Sequence, residues 1–116
     1  MARVSEHFVL EEFSCKCGCK GVILNCELIQ KLERLRERFK KPIIVHSGYR
    51  CKKHNTIVGG AINSQHLLGT AADITISGIS PESVAKASRE LGFGGIGVYG
   101  SFTHVDVRKL PAYWNG

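Results

Sequence analysis

Apolar residues recur at helical spacing through Leu28, Leu32, Leu35 and Phe39, and Asn25 stands where a helix cap belongs, so a helix is predicted from about residue 26 to Phe39. Before it, residues 1–26 read as an irregular opening with apolar anchors Phe8, Leu10 and Phe13. Pro42 introduces a short branched run, Ile43-Ile44-Val45-His46-Ser47, that suits a strand ending at Gly48-Tyr49-Arg50. Residues 51–65 read as a loop with room for a helical turn, bent at Gly59-Gly60. Thr70 to Ser77 then alternates with period two, placing Ala72, Ile74 and Ile76 on one face and Ala71, Asp73 and Thr75 on the other.

Ser80-Pro81-Glu82 marks a second helix start, with Val84, Ala87 and Leu91 as its buried stripe and Gly92 as its end. Two strands follow, Gly95–Tyr99 and Phe102–Arg108. In the second, Phe102, His104, Asp106 and Arg108 share a face, which sets His104 and Asp106 about 7 Å apart at the backbone. Tyr99, Tyr113 and Trp114 are candidates for a groove lining, with core packing favoured for Tyr99 and a frayed tail for the other two. His46 is expected in a packed or surface role, and His54 and Asn55 are expected to shape their loop. The order of elements implies an α+β fold, a small, largely antiparallel sheet with flanking helices, in a single domain over 1–116.

Composition adjusts this picture only modestly. The chain has 116 residues, 43% hydrophobic and 22% charged, ordinary values for a globular domain. No apolar run reaches membrane-span length. The first residues lack an apolar leader, so synthesis in the cytoplasm without a signal peptide is the expectation. The net charge is +6. Much of that surplus sits on Lys31, Arg34, Arg36, Arg38, Lys40 and Lys41, on and just after one helix, where a solvated face accounts for it. What is left is a general attraction for polyanions, bacterial wall polymers included.

Five cysteines are present, three of them in Cys15-Lys16-Cys17-Gly18-Cys19 and two apart, Cys26 and Cys51. That spacing differs from the C-x-x-C knuckle of most zinc sites. Reduced thiols, a second metal site built on Cys15, Cys17, Cys19 and Cys51, and a disulfide all remain open.

The chemistry concentrates in two segments, Ser64-Gln65-His66-Leu67-Leu68-Gly69-Thr70-Ala71-Ala72-Asp73 and Phe102-Thr103-His104-Val105-Asp106, which hold both of the chain's aspartates. Two imidazoles and a carboxylate are a normal ligand set for a catalytic zinc with one open position, so His66, Asp73 and His104 are the candidate ligands. Asp106 is a candidate general base, or else an acceptor for a histidine N–H or a partner of Arg108. Arg50, delivered by the turn after a strand, can clamp a carboxylate or stabilise an oxyanion.

Taken together, Ser47-Gly48-Tyr49-Arg50, Gly59-Gly60-Ala61, Ser64-x-His66-x-x-Gly69-x-Ala71-x-Asp73 and His104-x-Asp106 strongly resemble the zinc D-Ala-D-Ala carboxypeptidase family (peptidase family M15). Its relatives include D-Ala-D-Ala dipeptidases, phage L-alanyl-D-glutamate endolysins and, by fold, the hedgehog domain. The resemblance spans about residues 8–109. It implies a metallopeptidase of the bacterial peptidoglycan stem peptide, with one zinc held by His66, Asp73 and His104. It also implies Arg50 and Asp106 in catalysis, and Arg50, Ser47 and Ser64 at the substrate. Several relatives carry an acid three residues before the last histidine, where this chain has Ser101. A subgroup ending in His-x-Asp is closer, and that is what transfers the base to Asp106.

Two alternatives accompany this expectation. One is a non-catalytic zinc-binding module of the same fold that binds cell wall or a partner. The other is a basic nucleic-acid-binding domain with structural zinc at the cysteines, which ranks below both; the expectation is therefore no nucleic-acid partner. A monomer that acts at the cell wall after phage-lysin-like release completes the reading.

Overall fold

A computed structural model describes residues 2–116, so the first residue of the domain expected over 1–116 lies outside the described residues. Helices α1 (Cys26–Phe39), α2 (Lys52–Ile57) and α3 (Pro81–Glu90) alternate with strands β1 (Ile43–Ser47), β2 (Ala71–Ile76), β3 (Gly95–Val98), β4 (Thr103–Asp106) and β5 (Ala112–Asn115). Short 3-10 turns cover Leu10–Phe13 and Gln65–Leu68. The strands form one sheet in the order β1-β2-β4-β3-β5. Every pairing is antiparallel except β3 with β5.

The caps expected from sequence are in place. The Asn25 side chain accepts from the Leu28 N–H at 3.1 Å, and Ser80 does the same for Ser83 at 3.2 Å, each satisfying an amide that has no partner within its helix. On α1 the stripe Leu28, Ile29, Leu32 and Leu35 is buried. On α3 the buried residues are Val84, Ala85, Ala87 and Ser88, while Leu91 becomes the half-buried cap rather than a core residue. Arg38 of α1 pairs with Glu90 of α3.

Helices α1 and α3 cover one face of the sheet, where Ile43, Val45, Ala72, Ile74, Ile76, Ile96 and Val105 join Phe8, Phe13 and Phe93 in the core. Alternation therefore turns Ala71, Asp73, His104, Asp106, Gly95 and Gly97 to the other face. On an ordinary soluble sheet that face would meet water. Here Ala71, Asp73, His104 and Asp106 are all buried, because the loops after β1 and before β2 fold across it.

Two segments depart from expectation. The loop over 51–65 contains α2, and Gln65–Leu68 forms a 3-10 turn. The last residues are not frayed: Ala112–Asn115 add to the sheet edge as a parallel partner of β3, with Trp114 opposite Gly97. Among the described residues no helix is long and apolar enough to cross a membrane.

Candidate metal centre

The register of three strands assembles the site. Asp73 of β2 lies directly opposite His104 of β4 and opposite Ser47 of β1. Unbroken alternation would have put Ser47 on the core face with Val45. A register shift between Val45 and Ser47 inserts one residue and turns Ser47 toward Asp73, as a bulge does. His46 at that point is exposed and meets the Thr75 hydroxyl at 2.7 Å, which fits its expected surface role.

His66 arrives from the 3-10 turn before β2. Ser64 caps that turn, its hydroxyl accepting from the His66 N–H at 3.2 Å. Gly69 ends it in the left-handed region at φ +71°, and a Cβ there would sit 2.2 Å from the Ile23 carbonyl oxygen, so both conformation and space require glycine. The turn swings the imidazole back over the sheet, with Nε2 3.2 Å from Asp73 Oδ1. From the other side His104 Nδ1 reaches the same oxygen at 3.0 Å.

The outer nitrogens decide what these inner ones offer. His66 Nδ1 lies 2.7 Å from the Gly48 carbonyl oxygen; a carbonyl can only accept, so Nδ1 carries the proton. His104 Nε2 lies 2.7 Å from Asp106 Oδ2. Burial alone would raise the Asp106 carboxyl, but hydrogen bonds from His104 and Arg108 outweigh it and hold the group well below the usual carboxylate range. Asp106 is thus an anion that accepts from Nε2. In the neutral rings, the lone pairs of His66 Nε2 and His104 Nδ1 then point at a carboxylate oxygen. Three electron-rich atoms facing one another require a cation between them, a metal or an added proton.

With a proton in place of a metal, the same contacts set the charges of the group. Burial would raise Asp73 as well, yet hydrogen bonds from His104 and His66 hold it far below its ordinary value. Burial would lower His104, but its bonds to Asp106 and Asp73 raise it instead. His66, Asp73 and His104 each offer a ligand atom within 4.8 Å of the others, and the donor set fits a divalent zinc ion.

Around this cluster is a cleft of about 400 Å³ lined by Arg50, Ser64, His66, Asp73, His104 and Trp114 among others, a size that suits a small ligand or peptide segment. Arg50 is held on three sides. Its Nε donates to Ser47 Oγ at 3.1 Å, Nη1 to Asn55 Oδ1 at 3.3 Å, and Nη2 to Asp73 Oδ2 at 3.1 Å. Asn55 is itself fixed through the Ala61 carbonyl at 2.9 Å, so it shapes its loop as expected. Ser47, expected at the substrate, spends its hydroxyl on Arg50 and is not part of the cleft lining, whereas Ser64 is.

Asp106 sits behind His104 and is not part of the lining either. It is wholly buried, and Arg108 Nε and Nη2 grip its two oxygens at 2.9 and 2.7 Å. A Cβ on Gly95 would lie 2.2 Å from the carboxylate, and one on Gly97 would lie 2.5 Å from the Trp114 indole nitrogen. These two glycines clear the sheet for both side chains.

Trp114 and Tyr99 are cleft residues that sequence reasoning placed wrongly. The Trp114 ring lies 5.2 Å from that of His104 and under Arg108 at 5.1 Å. Its Nε1 donates to Tyr99 Oη at 2.9 Å, and Tyr99 stacks on Phe102 at 4.5 Å. Tyr99 lines the cleft rather than the core. The β-prone pair Tyr113-Trp114 was the available signal.

Comparisons with known proteins agree with this geometry. The family model described as Peptidase M15 matches residues 6–107. The zinc D-Ala-D-Ala carboxypeptidase of Streptomyces albus G is 41% identical over 64 residues, covering 54% of this chain and 25% of that protein. The peptidoglycan L,D-endopeptidase MepK of Escherichia coli K12 is 35% identical over 75 residues, covering 59% of this chain and 41% of that protein. MepK of Shigella flexneri matches to the same extent. The aligned stretches span well under half the length of these curated relatives.

Proposed function

Because this chain belongs to the peptidase M15 family, we propose that it is a zinc-dependent peptidase that hydrolyses an amide in the peptide stem of bacterial peptidoglycan, as a D-Ala-D-Ala carboxypeptidase or an L-alanyl-D-amino-acid endopeptidase. The observation that carries this reading is the convergence of His66 Nε2 and His104 Nδ1 on Asp73 Oδ1 in a cleft that also holds Arg50. These three residues would hold the ion. A zinc ion supplies Lewis acidity there, bringing the pKa of water to about 7 and polarising the scissile carbonyl.

The chain's own groups do the positioning. Gly48 and Asp106 fix the two imidazoles in the tautomers that present Nε2 of His66 and Nδ1 of His104. Arg50, braced by Ser47, Asn55 and Asp73, offers a fixed positive charge to a substrate carboxylate or to the oxyanion that develops on the attacked carbonyl. Ser64 and Arg50 are at hand for the substrate, and Ser47 acts through Arg50. Tyr99, Phe102 and Trp114 make an aromatic wall for the peptide in a cleft also lined by the Gly59-Gly60-Ala61 loop. Complete burial and the grip of Arg108 support Asp106 as a positioning residue for His104 rather than the group that takes the proton from water.

The substrate puts the site of action at the cell wall, and the basic surface favours that anionic polymer. A monomer fits this reading, since His66, Asp73, His104 and Arg50 all reach the cleft from one chain. A non-catalytic zinc module of the same fold is favoured by one observation: among the described residues, the cleft lining has no carboxylate besides Asp73. Digesting defined muropeptides with zinc-loaded protein, with products read by mass spectrometry, separates these readings. Release of terminal D-alanine identifies the carboxypeptidase and a cut inside the stem the endopeptidase. Bound zinc without any product leaves the binding module.

A further inference from the structure

Three cysteines crowd into Cys15-Lys16-Cys17-Gly18-Cys19, and Cys51 follows Arg50 far along the chain. The fold gathers all four. Cys15 Sγ lies 3.4 Å from Cys17 Sγ and 3.7 Å from Cys51 Sγ, Cys17 Sγ lies 3.7 Å from Cys51 Sγ, and with Cys19 all four sulfurs lie within 4.8 Å of one another. A tetrahedral zinc with Zn–S bonds of about 2.3 Å needs sulfur–sulfur edges of about 3.8 Å, so these spacings are those of a ligand cage.

A second observation is independent of the spacing. Each sulfur accepts a backbone N–H: Cys15 from Cys51, Cys17 from Cys19, Cys19 from Gly21 and Cys51 from His54, all at 3.4 Å. Amides aimed at sulfur stabilise the thiolate, which is the form that binds metal. Gly18 at φ +92° and Lys20 at φ +62° provide the tight reversal that turns three sulfurs of so short a run inward. Lys16, Lys20, Lys52 and Lys53 adjoin these cysteines in sequence and offset the excess negative charge of four thiolates on one divalent ion. Cys26 is exposed and stands outside the cluster.

We propose that Cys15, Cys17, Cys19 and Cys51 hold a structural zinc ion in a closed tetrathiolate site, built from different residues than the His66–Asp73–His104 cluster. Four protein ligands leave no open coordination position, so the ion is a staple and not a reaction centre. It fastens the N-terminal turn to the head of α2. Cys51 caps that helix, and the Tyr49 N–H donates to the Phe13 carbonyl at 2.8 Å. The staple therefore secures the flank after Arg50, and the Tyr49–Phe13 hydrogen bond secures the flank before it. Zinc fits an irregular cage because it has no directional preference of its own beyond four ligands.

The test is metal content and zinc X-ray absorption on the chain purified with zinc under reducing conditions. Two zinc ions per chain are expected, with a shell of sulfur scatterers at about 2.3 Å. Cys17→Ser and Cys19→Ser each reduce the content to one, and Cys26→Ser keeps two. His66→Ala also falls to one, and the ion that remains shows sulfur ligands only. This arm holds even if the cysteine variants fail to fold, and it reads the site whether or not the chain cleaves any peptide. One zinc per chain without sulfur scattering overturns the proposal. So does iron in place of zinc, or a non-reduced mass that reveals disulfides among these four cysteines.

Discussion

Asp106 has its two oxygens in the fork of Arg108, and the ring nitrogen of His104 lies 2.7 Å from one of them. Its carboxylate therefore sets the orientation and basicity of the imidazole proposed as a zinc ligand. Asp106→Asn keeps the shape but removes the charge, and zinc affinity should fall about 10–100-fold, measured by competition with a chromophoric chelator. At saturating zinc the variant should still cleave substrate; complete loss there would return Asp106 to the role of base. Arg50→Lys keeps a positive charge but cannot hold three partners in a planar fork. We expect kcat/KM to drop roughly 10²-fold with zinc content unchanged. At this scale the sequence was informative where chemistry is concentrated in rare residue types. Both aspartates were singled out from it, and His66 and His104 with them. What it could not settle is where a side chain spends its hydrogen bonds. Ser47 has the composition of a substrate contact and the geometry of a brace for Arg50.

Among the elements, α1, α3 and the first four strands were legible because each carries a periodic apolar pattern with caps or turn residues at its ends. The short α2 lacks an apolar stripe, and β5 is a four-residue edge strand marked in the sequence only by its Tyr113-Trp114 pair. A bulge such as that before Ser47 leaves no mark in alternation, since one inserted residue reads as a strand end. The N-terminal segment docks on α1 through Glu33, which accepts from Ser5 Oγ and from the His7 N–H at 2.7 Å, with His7 Nδ1 also 2.7 Å away. Burial would raise Glu33, but these bonds outweigh it and hold the group below its ordinary value near 4.5. A lowered folded-state pKa means that the unfolded chain binds the proton more readily. The stabilisation is thus complete above the ordinary value and fades as pH falls from there through the folded value. Glu33→Gln should cost about 2 kcal/mol at neutral pH and much less once the folded-state carboxyl is protonated, as checked by urea unfolding at two pH values. Gly95→Ala tests the close approach beneath Asp106: the added methyl collides with the carboxylate. We expect a loss of roughly 1–3 kcal/mol in thermal or urea unfolding.

The whole molecule divides its sheet between two tasks. One face packs Ile74, Ile96 and Val105 against α1 and α3, and the other gathers Asp73, His104 and Asp106 under loops that bring His66 and Arg50. The apolar half could be read from alternation alone. The buried polar half could not, because alternation marks a face as polar without saying whether water or protein covers it. Family resemblance supplied that step in the sequence reading, and the structure supplies its physical reason in the loop cover. The central claim is that the cation required between His66, Asp73 and His104 is the zinc of a peptidoglycan peptidase. Its most direct measurement is the rate of muropeptide cleavage by metal-stripped protein titrated with zinc, for the native chain and for His66→Ala. The account predicts no cleavage without metal, recovery with added zinc in the native chain, and no recovery in His66→Ala. Cleavage that survives stripping, or that zinc restores equally in His66→Ala, would contradict it.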